Sequence, residues 1–239
     1  MLECSEVTMR FGGLLALNGC VLAAKEGEIL GLVGPNGSGK STFINVVTGQ
    51  YAPTAGRITF RGDDITGRPP SEICRLGIAR TYQIPRPFGS LTVRENVAVA
   101  CMFGREGHDP GPARADAERW LAFVGLEPKA AAPVRALTLH ERKFLELARA
   151  LACRPALLLL DEVLAGLTPQ EVDGGIDLIR KIRQSGVTIV FVEHLMRAVV
   201  ALADRVVVLD QGAPIAAGRP GEVMTHPEVI RAYLGKDYA

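Results

Sequence analysis

A glycine-rich segment at residues 34–42 constrains the fold of this chain more than any other feature of the sequence. Its residues are Gly34, Pro35, Asn36, Gly37, Ser38, Gly39, Lys40, Ser41 and Thr42. Four apolar residues between positions 29 and 33 precede it as in a buried strand, and apolar residues at 43–47 follow it at helical spacing. A phosphate-binding loop requires this position between a strand and a helix. The sequence therefore predicts an α/β fold with a nucleoside triphosphate site at this loop.

Each residue type in the segment has a physical role in holding phosphate. Glycines at 34, 37 and 39 allow the backbone to turn its N–H groups inward and form a concave anion site. The N-terminus of the following helix adds a partial positive charge. Lys40 supplies a mobile ammonium for the outer phosphates, and the Ser41 hydroxyl is a ligand for Mg²⁺.

Composition and charge exclude several other classes of protein. The chain has 239 residues and a formal net charge of +1, so its charge gives no reason to expect nucleic acid as a partner. The five cysteines are far apart in sequence and form no Cys-x-x-Cys pair, so we expect neither disulfides nor a zinc site, and a cytosolic setting. We expect no signal peptide, because the first residues have neither a basic stretch nor an apolar run, and no membrane span, because the longest apolar run, 156–160, is too short. Any role at a membrane would therefore depend on a partner protein.

Strand and helix patterns predict one domain over residues 1–239 with an insertion. Predicted strands are Leu2–Phe11, Leu14–Ala24, Glu28–Val33, Arg57–Arg61, Ile78–Tyr82, Ala156–Leu160, Val187–Val192 and Arg205–Leu209, and predicted helices after the insertion are Pro169–Gln184 and Leu195–Ala203. Alternation of strands and helices after residue 156 indicates a mostly parallel sheet with flanking helices. We assign residues 1–91 and 153–239 to this core and an N-terminal β region, and 92–152 to a helical insertion.

Polar residues follow three of the predicted strands. Asp161 and Glu162 end the strand at 156–160, where an α/β sheet binds its ligands. Asp161 could hold Mg²⁺, and Glu162 could orient or deprotonate an attacking water. Gln83 follows the strand at 78–82 and could reach the metal and the same water. His194 follows the strand at 187–192, near the expected position of the γ-phosphate.

A second helix start lies at residue 138. Thr138 and Glu141 form a capping-box pattern ahead of an amphipathic helix. The first N–H groups of this helix make a second anion site. The chain thus has two phosphate-binding ends, and only the first carries a lysine.

In this order, the motifs resemble those of the ATP-binding cassette (ABC) ATPases over essentially the whole chain. Gly34–Thr42 resembles the Walker A motif, Gln83 the Q-loop, Leu137–Lys143 the signature motif, Leu157–Glu162 the Walker B motif with its catalytic glutamate, and His194 the switch histidine. Phe11 is similar to the aromatic residue that stacks on adenine, and residues 165–168 occupy the D-loop position. Segments 11–17 and Gly218–Gly235 look most like ATPase subunits of branched-chain amino acid importers.

The resemblance implies an ATP- and Mg²⁺-dependent motor with a RecA-like P-loop core. Two chains, identical or homologous, would pack head to tail, so that ATP on one Walker A loop is closed over by the partner's signature residues, here Leu137, Thr138, Leu139, His140 and Glu141. Catalysis would use Glu162, His194 and Gln83, and Mg²⁺ would be held by Ser41, Gln83 and Asp161. The implied partners are two integral-membrane permeases and, indirectly, a periplasmic or extracellular solute-binding protein. The chain would be cytoplasmic and peripheral on the inner face of the membrane.

Three positions depart from the family pattern. His140 stands where the signature motif usually has a glycine that allows close approach to the partner's γ-phosphate. Its imidazole would either crowd the nucleotide or turn away and loosen the contact. Val163 replaces a frequent proline, and Thr168 replaces the D-loop aspartate that helps to position water across the dimer. We still predict hydrolysis, because the lysine and both acids are present.

Two alternative functions share the phosphate loop, and only the first remains open. One is a soluble cassette ATPase of the iron–sulfur assembly or DNA-repair type, although the chain lacks the heptads or metal-ligand spacing of the repair proteins. The other is a small-molecule kinase with the same loop, which would explain neither the helix at 138 nor Gln83. The sequence does not identify the solute, or whether the chain pairs with itself or with a sister ATPase.

Overall fold

Two β-sheets form the framework of the computed structural model, which describes residues 1–234. The strands are β1 (Leu2–Phe11), β2 (Leu14–Ala24), β3 (Ile29–Val33), β4 (Ala55–Phe60), β5 (Asp63–Asp64), β6 (Ile78–Arg80), β7 (Leu157–Asp161), β8 (Thr188–Val192), β9 (Arg205–Asp210) and β10 (Ala213–Gly218). The helices are α1 (Lys40–Val47), α2 (Pro70–Leu76), α3 (Val93–Phe103), α4 (Pro110–Phe123), α5 (Leu139–Ala152), α6 (Pro169–Gln184), α7 (Met196–Leu202), α8 (Pro220–Val223) and α9 (Pro227–Leu234). Residues 235–239, which include Gly235 of the importer-like tail and the end of the predicted core, lie outside the described residues.

The larger sheet has six strands in the order β10-β9-β3-β8-β7-β6, and only β10 runs antiparallel to its neighbour. Every residue of β3, β7 and β8 is buried, as expected of strands covered on both faces. The predicted parallel α/β core is confirmed. Because β3, β7 and β8 are parallel neighbours, their carboxyl ends bring the phosphate loop, Glu162 and the segment containing His194 to one edge of the sheet.

The smaller sheet is antiparallel, with the order β2-β1-β4-β5, and confirms the predicted N-terminal β region. Its buried residues share one apolar cluster with α1 and with one face of the core sheet. Leu30 and Leu32 of β3 contribute to this cluster, whereas Ile29 and Val33 belong to a second cluster on the opposite face with residues of α3 to α7. The alternation of side chains along one strand therefore joins both layers to the core sheet.

Between β6 and β7, helices α3, α4 and α5 pack against one another, and two short 3₁₀ turns at Glu127–Lys129 and Val134–Ala136 lead into α5. The stretch 104–112, expected to separate helices, instead contains the start of α4 at Pro110. Proline fits the first helical turn because the N–H that it lacks would have no helical partner there.

One predicted strand is too long, and two strands of the structure, β5 and β10, have no predicted counterpart. The strand predicted at Ile78–Tyr82 ends at Arg80, because Asp161 N donates its hydrogen bond to the Thr81 hydroxyl at 3.1 Å and not to the Thr81 carbonyl oxygen that would continue the ladder. Strand β10 was not predicted from the sequence. Its alanines, proline and glycine give no strong strand signal, and pairing with β9 determines its conformation.

Candidate nucleotide-binding and catalytic site

The phosphate loop leaves the buried strand β3 and ends where α1 begins at Lys40. Gly34 and Gly39 have φ values of 149° and 106°, conformations that favour glycine. A Cβ at Gly34 would lie 2.1 Å from the Leu209 carbonyl oxygen, and one at Gly39 would lie 2.6 Å from that of Ala16. Glycine is therefore required at both positions by conformation and by space.

The Lys40 ammonium lies over the loop. Its Nζ donates hydrogen bonds to the carbonyl oxygens of Gly34 (2.8 Å) and Pro35 (2.9 Å), with the Ser38 hydroxyl at 3.4 Å. Burial lowers the pKa of Lys40, and the negative charges of Glu162 and Asp161 oppose that effect. The lysine is thus held between the loop and the two acids at the end of β7.

Asp161 and Glu162 have different surroundings although they are adjacent. Asp161 is buried, and its Oδ2 lies 3.3 Å from Arg80 Nη2, which belongs to β6. Burial raises the pKa of Asp161, while the charge of Arg80 opposes the rise. Arg80 also donates a hydrogen bond to Asn45 Oδ1 on α1 at 2.6 Å, so it links the acid to the helix after the loop.

The Glu162 carboxylate lies at the open side of the loop. Its Oε2 accepts a hydrogen bond from Gln83 Nε2 at 2.6 Å, and His194 Nδ1 lies 3.8 Å from the same oxygen. Gln83 and Glu162 line one cleft of about 380 Å³ together with residues 14–16 and 36–42. The structure thus brings Lys40, Gln83, Glu162 and His194 together, as the sequence suggested.

The groups expected to hold Mg²⁺ are chemically suited to it. Ser41, Gln83 and Asp161 offer hydroxyl, amide and carboxylate oxygens, which are the ligands that this cation prefers. Residues 1–234 contain no cluster of three or more histidines, cysteines or acids that could hold a metal.

The signature residues are organised by a capping box at the start of α5. Thr138 Oγ1 accepts a hydrogen bond from Glu141 N at 3.3 Å, and Glu141 Oε2 accepts one from Thr138 N at 2.9 Å. The first helical bond runs from Arg142 N to Thr138 O, so the amides of Leu139 and His140 precede it. Leu137 is buried, whereas Leu139 is exposed. The residues that line the cleft at the phosphate loop do not include these five.

The His140 ring turns back onto its own chain. It packs edge-on against Phe144 with ring centroids 4.1 Å apart, and its Nδ1 lies 3.5 Å from Glu171 Oε1 on α6. In this chain the imidazole is held by Phe144 and Glu171, and its effect on a partner's nucleotide stays a prediction. Thr168 caps α6, because its hydroxyl accepts a hydrogen bond from Glu171 N.

Phe11 lies at the end of β1 and contacts Tyr51 edge-on, with centroids 5.2 Å apart. It is partly exposed and is not among the residues that line the cleft at the phosphate loop. Its contact with adenine stays a prediction.

Sequence reasoning missed three residues that support the site. Arg80 pairs with Asp161, and the sequence assigned it no role. Lys143 is buried and donates two hydrogen bonds to the backbone after β7, and Glu193 is buried and accepts one from the same segment. The position of Lys143 on the apolar face of α5 was a usable signal, since a lysine there needs oxygen partners. A further residue near the loop is Tyr233 on α9. Burial raises the pKa of the Tyr233 hydroxyl, and a hydrogen bond with the backbone of Gly34 opposes the rise.

The comparisons with known proteins give one consistent result. Residues 17–165 match the family model for ABC transporters, and residues 213–239 match a model described as branched-chain amino acid ATP-binding cassette transporter. The high-affinity branched-chain amino acid transport ATP-binding protein BraF of Pseudomonas aeruginosa is 41% identical over 250 residues, which cover 99% of this chain and 98% of the relative. Its counterpart LivG of Escherichia coli strain K12 is 39% identical with the same coverage.

Solved structures agree with the sequence relatives. A nucleotide-free ATP-binding cassette from an ABC transporter superposes with a TM-score of 0.89 at 29% identity, over 99% of both chains. A cassette in its ADP conformation has a TM-score of 0.88 at 30% identity, again over 99% of both chains. A dimeric cassette in a post-hydrolysis state with ADP and phosphate has a TM-score of 0.83 at 26% identity, covering 92% of this chain and 99% of that one.

The resemblance read from the motifs is confirmed, and cassettes of this fold bind nucleotide and form dimers. The relatives favour a transport ATPase over the soluble cassette ATPase and the kinase. The chain therefore belongs to the ABC transporter family, among the relatives of LivG and BraF, and it is an ATP-binding subunit that hydrolyses ATP to drive transport.

Proposed function

We propose that this chain powers a branched-chain amino acid importer by hydrolysing Mg²⁺-bound ATP in a pocket completed by a second cassette. The observation that carries the proposal is the arrangement of Lys40, Gln83 and Glu162 around the phosphate loop. The names of the relatives and the match at residues 213–239 support the assignment of the solute.

In this proposal, the loop amides and Lys40 bind the β- and γ-phosphates. Ser41, Gln83 and Asp161 would hold Mg²⁺, which would neutralise charge on the outer phosphates. Glu162 accepts the proton of the attacking water, and its hydrogen bond from Gln83 Nε2 at 2.6 Å aims the carboxylate. His194 Nδ1 lies 3.8 Å from the same carboxylate, and from there the imidazole would sense the γ-phosphate. Phe11 stacks on the adenine.

The second half of the pocket comes from a partner cassette, identical or homologous. Residues 137–141 do not line the cleft at the phosphate loop of their own chain, and the amides at the start of α5 can bind an anion. We propose that these residues close over ATP held by the partner. The dimeric cassette with ADP and phosphate supports such an assembly.

Contact with the membrane would be made through permeases. No helix in the described part of the chain has the length and apolar character needed to cross a bilayer. A cleft of about 400 Å³ lies between α2, α3 and α5, and its lining includes Tyr82, Phe88 and Phe103. Phe88 and Phe103 are exposed, and Phe88 lies in the loop after Gln83. We propose that a permease docks its cytoplasmic face here, so that a pair of cassettes engages two permeases. Residues 92–152 would move as a unit, and a periplasmic or extracellular binding protein would deliver the solute.

Two measurements test the composite pocket. They are the dependence of the ATPase rate on protein concentration and the size of the protein in gel filtration. We expect the rate per chain to rise with protein concentration, and Glu162→Gln to elute as a dimer only with ATP and Mg²⁺. The matched control Glu72→Gln, an exposed acid on α2, should elute like the wild type. Full activity in a strictly monomeric preparation would contradict the composite pocket.

The solute is tested by uptake of labelled leucine, isoleucine and valine in cells that carry or lack the gene. We expect uptake to be lost on deletion, restored by the wild-type chain, and not restored by Lys40→Ala. Normal uptake in the deletion strain, without a second cassette to compensate, would contradict the assignment of the solute. Copurification of the chain with membrane subunits tests the docking proposal directly.

A further inference from the structure

The backbone of Glu162 has an unusual conformation for its residue type. Its φ is 49°, in the left-handed region that a residue with a side chain seldom adopts. Such a conformation persists only where surrounding contacts fix it. The direction of the Glu162 carboxylate therefore depends on whatever holds the backbone of residues 162–165.

Lys143 holds this segment from one side. It lies on α5, is 5% exposed, and its Nζ donates hydrogen bonds to Glu162 O at 2.9 Å and Ala165 O at 2.6 Å. Burial lowers the pKa of Lys143, and the charges of Glu193 and Glu162 oppose this. A buried ammonium bonded to two carbonyls restrains both, because breaking either bond would leave one N–H of a buried charged group without a partner.

Glu193 holds the segment from the other side. It follows β8, is 1% exposed, and its Oε1 accepts a hydrogen bond from Leu164 N at 2.8 Å. Its Oε2 is buried, and no residue in the described part of the chain gives it a hydrogen bond. The Glu162 N–H donates to the carbonyl oxygen of Val192, the last residue of β8, at 2.9 Å. The amide of Glu162 is thus bound to the core sheet, and its carbonyl is bound to α5.

We propose that Lys143 is a positioning residue that keeps Glu162 in its left-handed conformation, and that Lys143 and Glu193 together form a clamp on residues 162–165. The proposal rests on the proposed role of Glu162 as the base. It makes the alignment of the base depend on α5, the helix that begins with the signature residues. A shift of α5 in one chain would then change catalysis at that chain's own phosphate loop, in addition to the contact with its partner's nucleotide.

The test compares Lys143→Met, which keeps the length of the side chain and removes both hydrogen bonds, with Lys143→Arg, which keeps a cation. The matched control is Lys181→Met, an exposed lysine on α6. In the full-length chain with ATP and Mg²⁺, we expect Lys143→Met to lower kcat by about 10- to 100-fold, as a misplaced catalytic group does, with no change in ATP affinity. Lys143→Arg should recover most of this loss, and Lys181→Met should match the wild type. Equal kcat in Lys143→Met and wild type, or a parallel loss of ATP affinity and thermal stability, would overturn the clamp.

A double variant separates positioning through Glu162 from a general effect. Glu162→Gln combined with Lys143→Met should hydrolyse ATP at the rate of Glu162→Gln alone, because the base that Lys143 positions is absent. The proposal would be overturned if Lys143→Met lowered the rate of Glu162→Gln by the same factor as it lowers the rate of the wild type. Retention of turnover by Glu162→Gln alone would instead contradict the proposed role of Glu162.

Amide hydrogen exchange tests the clamp without activity. We expect faster exchange across residues 162–165 in Lys143→Met, with exchange in α6 unchanged. Glu193→Ala should raise exchange at Leu164, and Glu193→Gln, which keeps the acceptor, should not. Unchanged exchange at Leu164 in both Lys143→Met and Glu193→Ala would overturn the clamp even if kcat fell.

Discussion

The phosphate loop and the segment after β7 lie at the same edge of the core sheet, but different parts of the sequence shape them. The loop is shaped locally, by glycines at 34 and 39 whose φ values of 149° and 106° other residues seldom adopt. The segment at 162–165 contains no glycine and adopts its strained turn through contacts with α5 and β8. The conformation of the loop is thus determined largely by its own glycines, with the carbonyls of Ala16 and Leu209 limiting the space beside them, whereas the position of the base depends on the packing of distant elements.

This difference has a consequence for regulation. A loop shaped by its own backbone keeps its form when neighbouring helices move, so nucleotide affinity should change little between states of the transporter. A carboxylate held by α5 can be moved with that helix. Binding and hydrolysis can therefore respond separately to the same conformational change.

The largest expected effect is at Glu162, where the two regions meet. Glu162→Gln keeps the shape of the side chain and removes the base, so kcat should fall by about 10²- to 10⁴-fold. ATP affinity should stay the same, because the loop that binds the phosphates is formed independently. Steady-state hydrolysis and equilibrium binding of a fluorescent ATP analogue check both expectations. Turnover at the wild-type rate would show that another group accepts the proton.

The next largest effect tests whether the glycines of the phosphate loop determine its shape. Gly39→Ala places a methyl group 2.6 Å from the Ala16 carbonyl oxygen at a φ of 106°, so the loop must distort and ATP affinity should fall by at least about tenfold. Gly37→Ala is the matched variant: its φ is 78°, but no atom lies within 4 Å of the added methyl. It should lose less affinity. Isothermal titration with ATP separates them, and equal losses would mean that conformation matters and space does not.

The same contrast explains how much could be predicted from the sequence. The loop, the capping box at Thr138 and helix α6 at Pro169–Gln184 follow from local patterns, and the structure has them as predicted. Contacts of Arg80 with Asp161, Glu193 with Leu164 and Lys143 with Glu162 join residues 81, 29 and 19 positions apart. No local pattern specifies such pairs, because the order of the strands and the packing of α5 decide them. Strand β10 was missed for the same reason, since its pairing with β9 defines it.

A pH series tests the segment after β7, whose position depends on contacts with distant residues such as Glu193. Burial raises the pKa of Glu193, while the Leu164 N–H and the charges of His194 and Lys143 oppose the rise and Glu162 adds to it. The folded chain then binds the proton more tightly than the unfolded chain, so this stabilisation is present at acid pH and is lost as pH rises through the raised value. Glu193→Gln does not titrate. The free energy of unfolding of Glu193→Gln should therefore rise relative to that of the wild type as pH increases. The rise should be about 1.4 kcal/mol for each tenfold difference in the proton affinity of Glu193 between the folded and unfolded wild-type chains.

Urea unfolding of wild type and Glu193→Gln at a series of pH values above 4 measures this difference. Glu228→Gln, an exposed acid in the first turn of α9, is the control and should run parallel to the wild type. A constant difference between wild type and Glu193→Gln over the series would mean that Glu193 titrates alike in the folded and unfolded chains.

The smallest expected effect on turnover is at His140, and it shows what the departure from the signature glycine does. The ring packs on Phe144 and reaches Glu171 rather than extending from the start of α5. His140→Gly removes this packing and adds glycine to the first turn, which should lower the free energy of unfolding by about 1–2 kcal/mol. The ATPase rate of the assembled transporter should stay the same or rise, because the backbone amides that would bind the partner's phosphate are kept and become more accessible. His140→Ala separates the two parts of the stability loss, since it removes the ring and keeps a good helix former. A fall in ATPase rate in both variants, at temperatures where both are folded, would mean that the imidazole itself acts on the nucleotide, and that the second anion site is shaped on binding rather than beforehand.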